Sequence, residues 1–174
     1  TCYVFDRTGA NIATYEKTHL FSPAGENDDF TPGSRLATFS IDGIKCGIII
    51  CYDLRFPELV RQLALQDISI LFVAAAWPVE RIQHWDTLLR ARAIENQFFV
   101  VAANGISSHL GDAMHLGGGS AIYDPWGSLL AQGSIDNLDG EILHANLQPG
   151  MISQIRSDIS IFKDRRPELY RLTE

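Results

Sequence analysis

The chain has 174 residues, of which 46% are hydrophobic and 20% are charged, and its formal net charge is −7. This composition is typical of a globular domain large enough to bury one core. An acidic surface repels phosphate backbones, which excludes nucleic acid as a partner, and no apolar run reaches the ~20 residues of a membrane span.

The first third of the chain predicts two β-hairpins separated by a long loop. Residues 2–5 and 10–15 flank a Gly-containing turn, and residues 35–40 and 44–50 flank a second one. The strand over 44–50 is too apolar to face water, so it is predicted to lie centrally in a sheet. The loop between the hairpins, 18–34, is long enough to predict a functional role.

The remainder of the chain alternates buried strands with amphipathic helices. A helix is predicted to begin at Pro57, where proline suits the first turn. The further predictions are strands over 68–76, 97–104, 120–124, 128–132 and 141–148, and helices over 84–97 and 150–158. This order predicts a single α/β domain over residues 1–174, layered around a mixed sheet.

The cysteines indicate a reducing compartment and no metal. An odd, sparse set, Cys2, Cys46 and Cys51, does not form a disulfide framework, and no Cys or His pair has zinc spacing. We therefore expect a cytoplasmic protein without metal or cofactor.

Cys51 is the candidate nucleophile. It closes a buried strand, and a helix begins about six residues later, which places a side chain at the carboxyl edge of a sheet. A helix N-terminus and a nearby cation lower the pKa of a thiol, and the N–H of Tyr52 can point at a developing oxyanion. The alternative is an inert buried cysteine. Asp53 and Arg55 are predicted to hold this turn through buried ion or hydrogen-bond links.

Several segments resemble motifs of the nitrilase superfamily, in that family's order. CYDLRFPE resembles its cysteine motif and YEKTHLF its lysine motif, and ENDDFTPG, HWDTLLRARAIENQ and YDPWG are similar to further family segments. The resemblance covers essentially the whole chain. It implies a four-layer α-β-β-α sandwich and a Glu–Lys–Cys triad that hydrolyses amides or nitriles.

The resemblance also implies roles for individual residues. Cys51 would attack the carbon, ammonia would leave, and water would hydrolyse the thioester. Lys17 would stabilise the oxyanion beside the Tyr52 amide, the alternative being a solvated cation. Glu26 would orient Lys17 or position the attacking water, the alternative being an exposed acidic loop.

One family residue has no counterpart in the chain. The family's general base is a glutamate well upstream of the lysine, whereas only sixteen residues precede Lys17 here, and none matches it. Glu16 would point to the opposite face of a strand. We therefore expect an N-terminally truncated sandwich whose first strand and helix are missing.

The run AAWPVERIQHWDTLLRARAIENQ is most similar to the ω-amidase branch of the superfamily, which acts on small carboxylate-bearing amides. Arg81 is the candidate carboxylate-binding group, and Trp77 and Asn104 are predicted to lie beside the substrate. Trp77 could instead be a core aromatic residue. The resemblance implies a homodimer or higher homo-oligomer. The alternative is a non-catalytic nitrilase-fold subunit or interaction module, because fold alone does not fix function.

Overall fold

A computed structural model of the protein describes residues 1–110, 114–135 and 138–170. The strands are β1 Cys2–Phe5, β2 Asn11–Tyr15, β3 Thr38–Ile41, β4 Ile44–Ile50, β5 Ile70–Ala75, β6 Phe99–Asn104, β7 Ile106–Leu110, β8 Met114–Gly117, β9 Ala121–Tyr123 and β10 Leu129–Gln132. The α-helices are α1 Glu26–Asp29, α2 Pro57–Ala64, α3 Ile82–Asn96 and α4 Gly150–Asp158.

Six strands form a mixed sheet in the order β10-β9-β6-β5-β4-β3. β4, β5 and β6 run parallel, and antiparallel strands complete both sides. The two-stranded sheets β1–β2 and β7–β8 lie outside it. β4 occupies the interior position predicted for it, because a strand that is apolar on both faces must be covered on both faces.

One face of the sheet carries α2 and α3. Leu63 from α2 and Trp85 and Leu89 from α3 belong to one buried cluster with the sheet residues Ile49 and Leu71. The α2 layer packs tightly on β4 at Gly47, where an added Cβ would lie 3.0 Å from an Ile68 side-chain atom and 3.3 Å from a Leu63 side-chain atom.

The opposite face packs against the β1–β2 hairpin and α4. Tyr15 of β2 and Ile152 of α4 share a second buried cluster with Cys46, Ile48 and Phe99. The described part of the chain is therefore layered as helices, sheet and hairpin, in agreement with the predicted α/β class. No helix in that part is long and apolar enough to cross a membrane.

Two predictions of local structure need correction. Residues 141–148 belong to no strand, and within them Ile142 is 84% exposed while Leu147 packs against the second cluster. Alternating side chains form a strand only where a neighbour supplies backbone partners, and none does so here. The loop over 18–34 contains the short helix α1 and one 3₁₀ turn, Ser22–Ala24.

Candidate active site

A cavity of about 430 Å³ opens at the carboxyl ends of β4 and β5. Its lining includes six of the seven residues that the sequence predicts for the site: Lys17, Glu26, Cys51, Tyr52, Trp77 and Arg81. The register of the parallel strands β4 and β5 explains how the residues after the two strands meet. Ile50 pairs with Ala74 across the parallel ladder, so Cys51 and the residues that follow Ala75 leave the sheet side by side.

Cys51 sits on a sharp turn between strand and helix. It follows β4 directly, begins a 3₁₀ helix over Cys51–Arg55, and has a φ of 47°. The left-handed conformation costs an L-residue roughly 1–2 kcal/mol, so the surrounding structure must hold it in place. The Cys51 Sγ lies 3.8 Å from the carbonyl oxygen of Ala76 on the next strand connection.

The thiol of Cys51 is less acidic than the sequence suggests. Burial raises its pKa above the ordinary value, and the charge of Glu26 acts in the same direction. The charge of Lys17 and the backbone of Tyr52 lower it but do not reverse the shift. The expectation of a lowered pKa therefore needs correction, because desolvation of the thiolate outweighs the nearby cation.

Lys17 and Glu26 form a close ion pair at the cavity wall. The Lys17 Nζ donates to both carboxylate oxygens of Glu26, at 2.8 and 2.5 Å, and the two side chains are 12% and 28% exposed. Glu26 also accepts a hydrogen bond from the N–H of Phe21. Partial burial acts to raise the pKa of Glu26, but the bonds from Lys17 and Phe21 lower it overall. Lys17 is therefore not a solvated cation, and Glu26 is partly buried in its ion pair, whereas its neighbours Asp28 and Asp29 are exposed as an acidic loop would be.

Trp77 and two arginines line another part of the cavity. Trp77 is 3% exposed and donates from Nε1 to the carbonyl of Arg81, so it is a core aromatic residue that also faces the cavity. The Arg55 guanidinium lies 4.6 Å from the Trp77 ring centroid, and that of Arg81 lies 5.6 Å from the Phe21 ring. Burial and the neighbouring charge of Arg81 lower the pKa of Arg55.

Asn104 does not line this cavity. Its Oδ1 accepts from the N–H of Trp77 at 2.6 Å, and its Nδ2 donates to the carbonyls of Trp77 and Gly118. The amide is therefore fully occupied by backbone groups. The predicted pocket position is corrected to one behind Trp77, where Asn104 fixes the path of the chain after β5.

Of the lining residues that sequence reasoning did not place at the site, three carry a thiol, an aromatic ring or a guanidinium group: Cys2, Phe21 and Arg55. Arg55 carried a signal, because it lies within the cysteine motif, but a link that holds the turn was expected of it. Cys2 is distant from Cys51 in sequence. It reaches the cavity because β1 lies beside β2, the strand that leads to Lys17. Within the described residues, no group of three His, Cys, Asp or Glu side chains could hold a metal ion.

The cavity brings together a partly buried thiol on a strand-end turn and a lysine–glutamate pair, groups that nucleophilic attack on a carbonyl-like carbon requires. The sequence profile of the carbon–nitrogen hydrolases matches residues 1–157, and the chain belongs to this family. A 2-oxoglutaramate amidase of Bacillus subtilis is 39% identical over 170 residues, which cover 98% of this chain and 64% of that protein.

Solved structures agree with this assignment. A Saccharomyces cerevisiae member of branch 10 of the nitrilase superfamily superposes with a TM-score of 0.82 at 31% identity, covering 94% of this chain and 58% of that one. A glutamate-to-glutamine mutant of an amidase of Nesterenkonia sp. AN1, with a TM-score of 0.76 at 28% identity, carries the acetamide moiety of fluoroacetamide covalently on its active-site cysteine. That match covers 97% of this chain and 59% of that one. The predicted nitrilase-type α/β fold is confirmed, and the chain spans about 64% or less of these relatives.

Proposed function

We propose that this chain carries the cysteine nucleophile of an amidase that hydrolyses a small, carboxylate-bearing amide and releases ammonia. The observation that carries the proposal is the convergence of Cys51, Lys17 and Glu26 on one cavity. The 2-oxoglutaramate amidase of Bacillus subtilis, a relative over nearly the whole chain, supports the substrate class.

The proposed chemistry begins with attack of the Cys51 thiolate on the amide carbon. Negative charge then develops on the former carbonyl oxygen. Lys17 supplies a cation, and the Tyr52 N–H a fixed dipole, for stabilising this charge. The base that took the Cys51 proton returns it to the nitrogen, and collapse of the tetrahedral intermediate expels ammonia. Water then cleaves the resulting thioester to release the acid and the free thiol.

In the proposed mechanism Glu26 orients the ammonium group of Lys17. Both of its oxygens are held by Lys17, so it fixes the ammonium in place and does not accept the Cys51 proton. Because the pKa of Cys51 lies above its ordinary value, the thiol is mostly protonated at neutral pH, and its proton passes to another base during attack.

The cationic side chains of Arg55 and Arg81 support a substrate that carries a carboxylate. Both line the cavity, and Glu26 is the only carboxylate among the described lining residues. Guanidinium groups bind carboxylates through paired, charge-assisted hydrogen bonds. We therefore assign the substrate carboxylate to the side of the cavity formed by Arg55 and Arg81, with the amide directed toward Cys51.

We also propose that residues 1–174 act as one domain of a cytoplasmic homodimer or higher homo-oligomer. The three cysteines are unpaired, which fits a reducing compartment. Large apolar side chains such as Ile94 and Trp126 are about half exposed, at 49% and 51%, and could be covered by a second copy. Analytical ultracentrifugation of the purified protein tests the oligomer, and a monomer at micromolar concentration would contradict it.

The test of function is ammonia release from 2-oxoglutaramate by the wild-type protein, Cys51→Ala and Cys46→Ala. Cys46 is the matched control, since it is a fully buried thiol on β4, the strand that leads to Cys51. We expect ammonia from the wild type and from Cys46→Ala, and none from Cys51→Ala. A folded wild-type protein that releases no ammonia from this or simple amides would favour the non-catalytic alternative.

A further inference from the structure

Asp53 is a fully buried carboxylate directly behind the candidate nucleophile. Its side chain is 0% exposed and accepts four hydrogen bonds. Its Oδ1 accepts from the N–H and from Nδ1 of His19, both at 2.9 Å. Its Oδ2 accepts from the Tyr15 hydroxyl at 2.8 Å and from the Ile50 N–H at 3.0 Å. A carboxylate has about four acceptor sites, so all of them are used.

The donors come from the two chain segments that carry the reacting groups. Tyr15 and His19 lie two residues before and two residues after Lys17, while Ile50 immediately precedes Cys51. One carboxylate thus joins the lysine segment, residues 15–19, to the cysteine turn, Cys51–Arg55. The bond from the Ile50 N–H to the Asp53 side chain also spans Cys51, whose φ of 47° needs such support.

His19 is held on two sides. Because a carboxylate only accepts, the Nδ1 of His19 carries the hydrogen of that bond. The imidazole also stacks on Phe56, with ring centroids 3.6 Å apart and an interplanar angle of 6°. Phe56 follows the cysteine turn, so this stacking is a second contact between the same two segments.

Tyr15 remains a donor to Asp53 under ordinary conditions. Its ring is 1% exposed, and burial together with the charge of Asp53 raises the pKa of its hydroxyl. Its hydroxyl also lies 2.9 Å from the Thr18 hydroxyl. Since Tyr15 donates to Asp53, Thr18 donates to Tyr15, which brings the residue after Lys17 into the same network.

We propose that Asp53 is a positioning residue that fixes Cys51 and Lys17 relative to each other and thereby sets the reactivity of the Cys51 thiol. This inference rests on the proposed role of Cys51 as nucleophile. It extends that role by assigning the geometry of the site to a side chain that touches no substrate. The His19–Asp53 and Tyr15–Asp53 bonds are the contacts through which it acts.

Asparagine has the shape of Asp53 but cannot replace its function. With the amide nitrogen at the Oδ2 position, the Ile50 N–H faces a donor and is left unpaired. In the other orientation the His19 N–H is left unpaired. Either way a buried donor loses its partner, which costs roughly 1–3 kcal/mol. The turn or the lysine segment must then move.

The direction of the change in the Cys51 alkylation rate distinguishes a positioning role of Asp53 from a purely electrostatic one. Removing a nearby negative charge favours the thiolate, so an electrostatic role alone predicts faster alkylation of Cys51 in Asp53→Asn. Positioning predicts slower alkylation, because Cys51 and Lys17 lose their shared anchor. Misplacement by about 1 Å can slow a reaction by ~10²-fold, and we expect a decrease of at least about tenfold.

The experiment measures the second-order rate of Cys51 alkylation by iodoacetamide between pH 6 and pH 10, by peptide mass spectrometry, in the intact protein. Asp124→Asn is the matched control. Asp124 is also buried and accepts two backbone N–H bonds, from Trp126 and Ser128, in the β9–β10 turn. We expect both substitutions to lower the melting temperature, and only Asp53→Asn to slow the alkylation of Cys51.

A second variant keeps the inference testable if Asp53→Asn does not fold. His19 is 29% exposed, so His19→Ala removes the Nδ1 bond and the stacking on Phe56 with little loss of core. We expect slower alkylation of Cys51 in this variant as well. Unchanged or faster alkylation in either folded variant would overturn the positioning role. Alkylation needs no amide substrate, so a wild-type protein without ammonia release would overturn only the proposed function.

Discussion

The pH dependence of Cys51 reactivity gives a direct test of the electrostatics in the cavity. Burial raises the pKa of this thiol above its ordinary value, so the thiol is mostly protonated at pH 7. The alkylation rate is therefore expected to rise about tenfold between pH 7 and pH 8. In Lys17→Met the favourable charge is lost and Glu26 is left unpaired. Both changes raise the pKa of Cys51 further, so we expect slower alkylation at pH 8 than in the wild type.

The assay is iodoacetamide labelling of Cys51 across the pH range, with Lys45→Met as the control. Lys45 is an exposed lysine on β4, the strand that leads to Cys51, but it does not line the cavity. We expect the control profile to overlie that of the wild type. A wild-type rate that is already flat at pH 7 would refute the reasoning, because it would require a pKa below the ordinary value despite burial.

Three further substitutions test the pocket, the lysine segment and the core. Arg81→Met should raise the KM for a carboxylate-bearing amide by about 10- to 100-fold and leave that of an uncharged amide unchanged; equal effects on both would contradict the assignment. In Gly33→Ala the new Cβ would lie 2.3 Å from the carbonyl oxygen of Glu16, so ammonia release should fall as the segment holding Lys17 shifts. Leu89→Ala removes a fully buried side chain and should cost about 2–5 kcal/mol, seen as a melting temperature lower by roughly 5–15 °C.

Local patterns in the chain determined the elements around the site. The apolar run of β4 can only lie inside a sheet, and Pro57 starts a helix soon after it. Cys51 at a strand-to-helix turn follows from these two features without knowledge of any distant residue. The lysine segment was likewise marked by its own residues, through their resemblance to a family motif.

The family resemblance predicted which residues of the lysine segment belong to the site, and the tertiary structure decided how they are arranged. The motif suggested that Lys17 and Glu26 belong to the site. That the two side chains are in contact depends on how α1 folds back on the chain, and the eight intervening residues do not specify this. The strand predicted over 141–148 is absent for a related reason. Its side chains alternate as they do in a strand, but no described strand lies beside it to supply backbone partners.

The chemical state of the site depended on residues far apart in sequence. The raised pKa of Cys51 comes from burial, and the turn that carries Cys51 contacts β5 and α3, which are distant in sequence. Asn104 faces backbone groups 14 and 27 residues away, and Asp53 binds partners 34 and 38 residues away. The sequence by itself determined the central strands and the main helices, and it placed Cys51 at a strand-to-helix turn. Only the tertiary structure decided which side chains meet, because desolvation and hydrogen-bond direction depend on all the segments packed around a group.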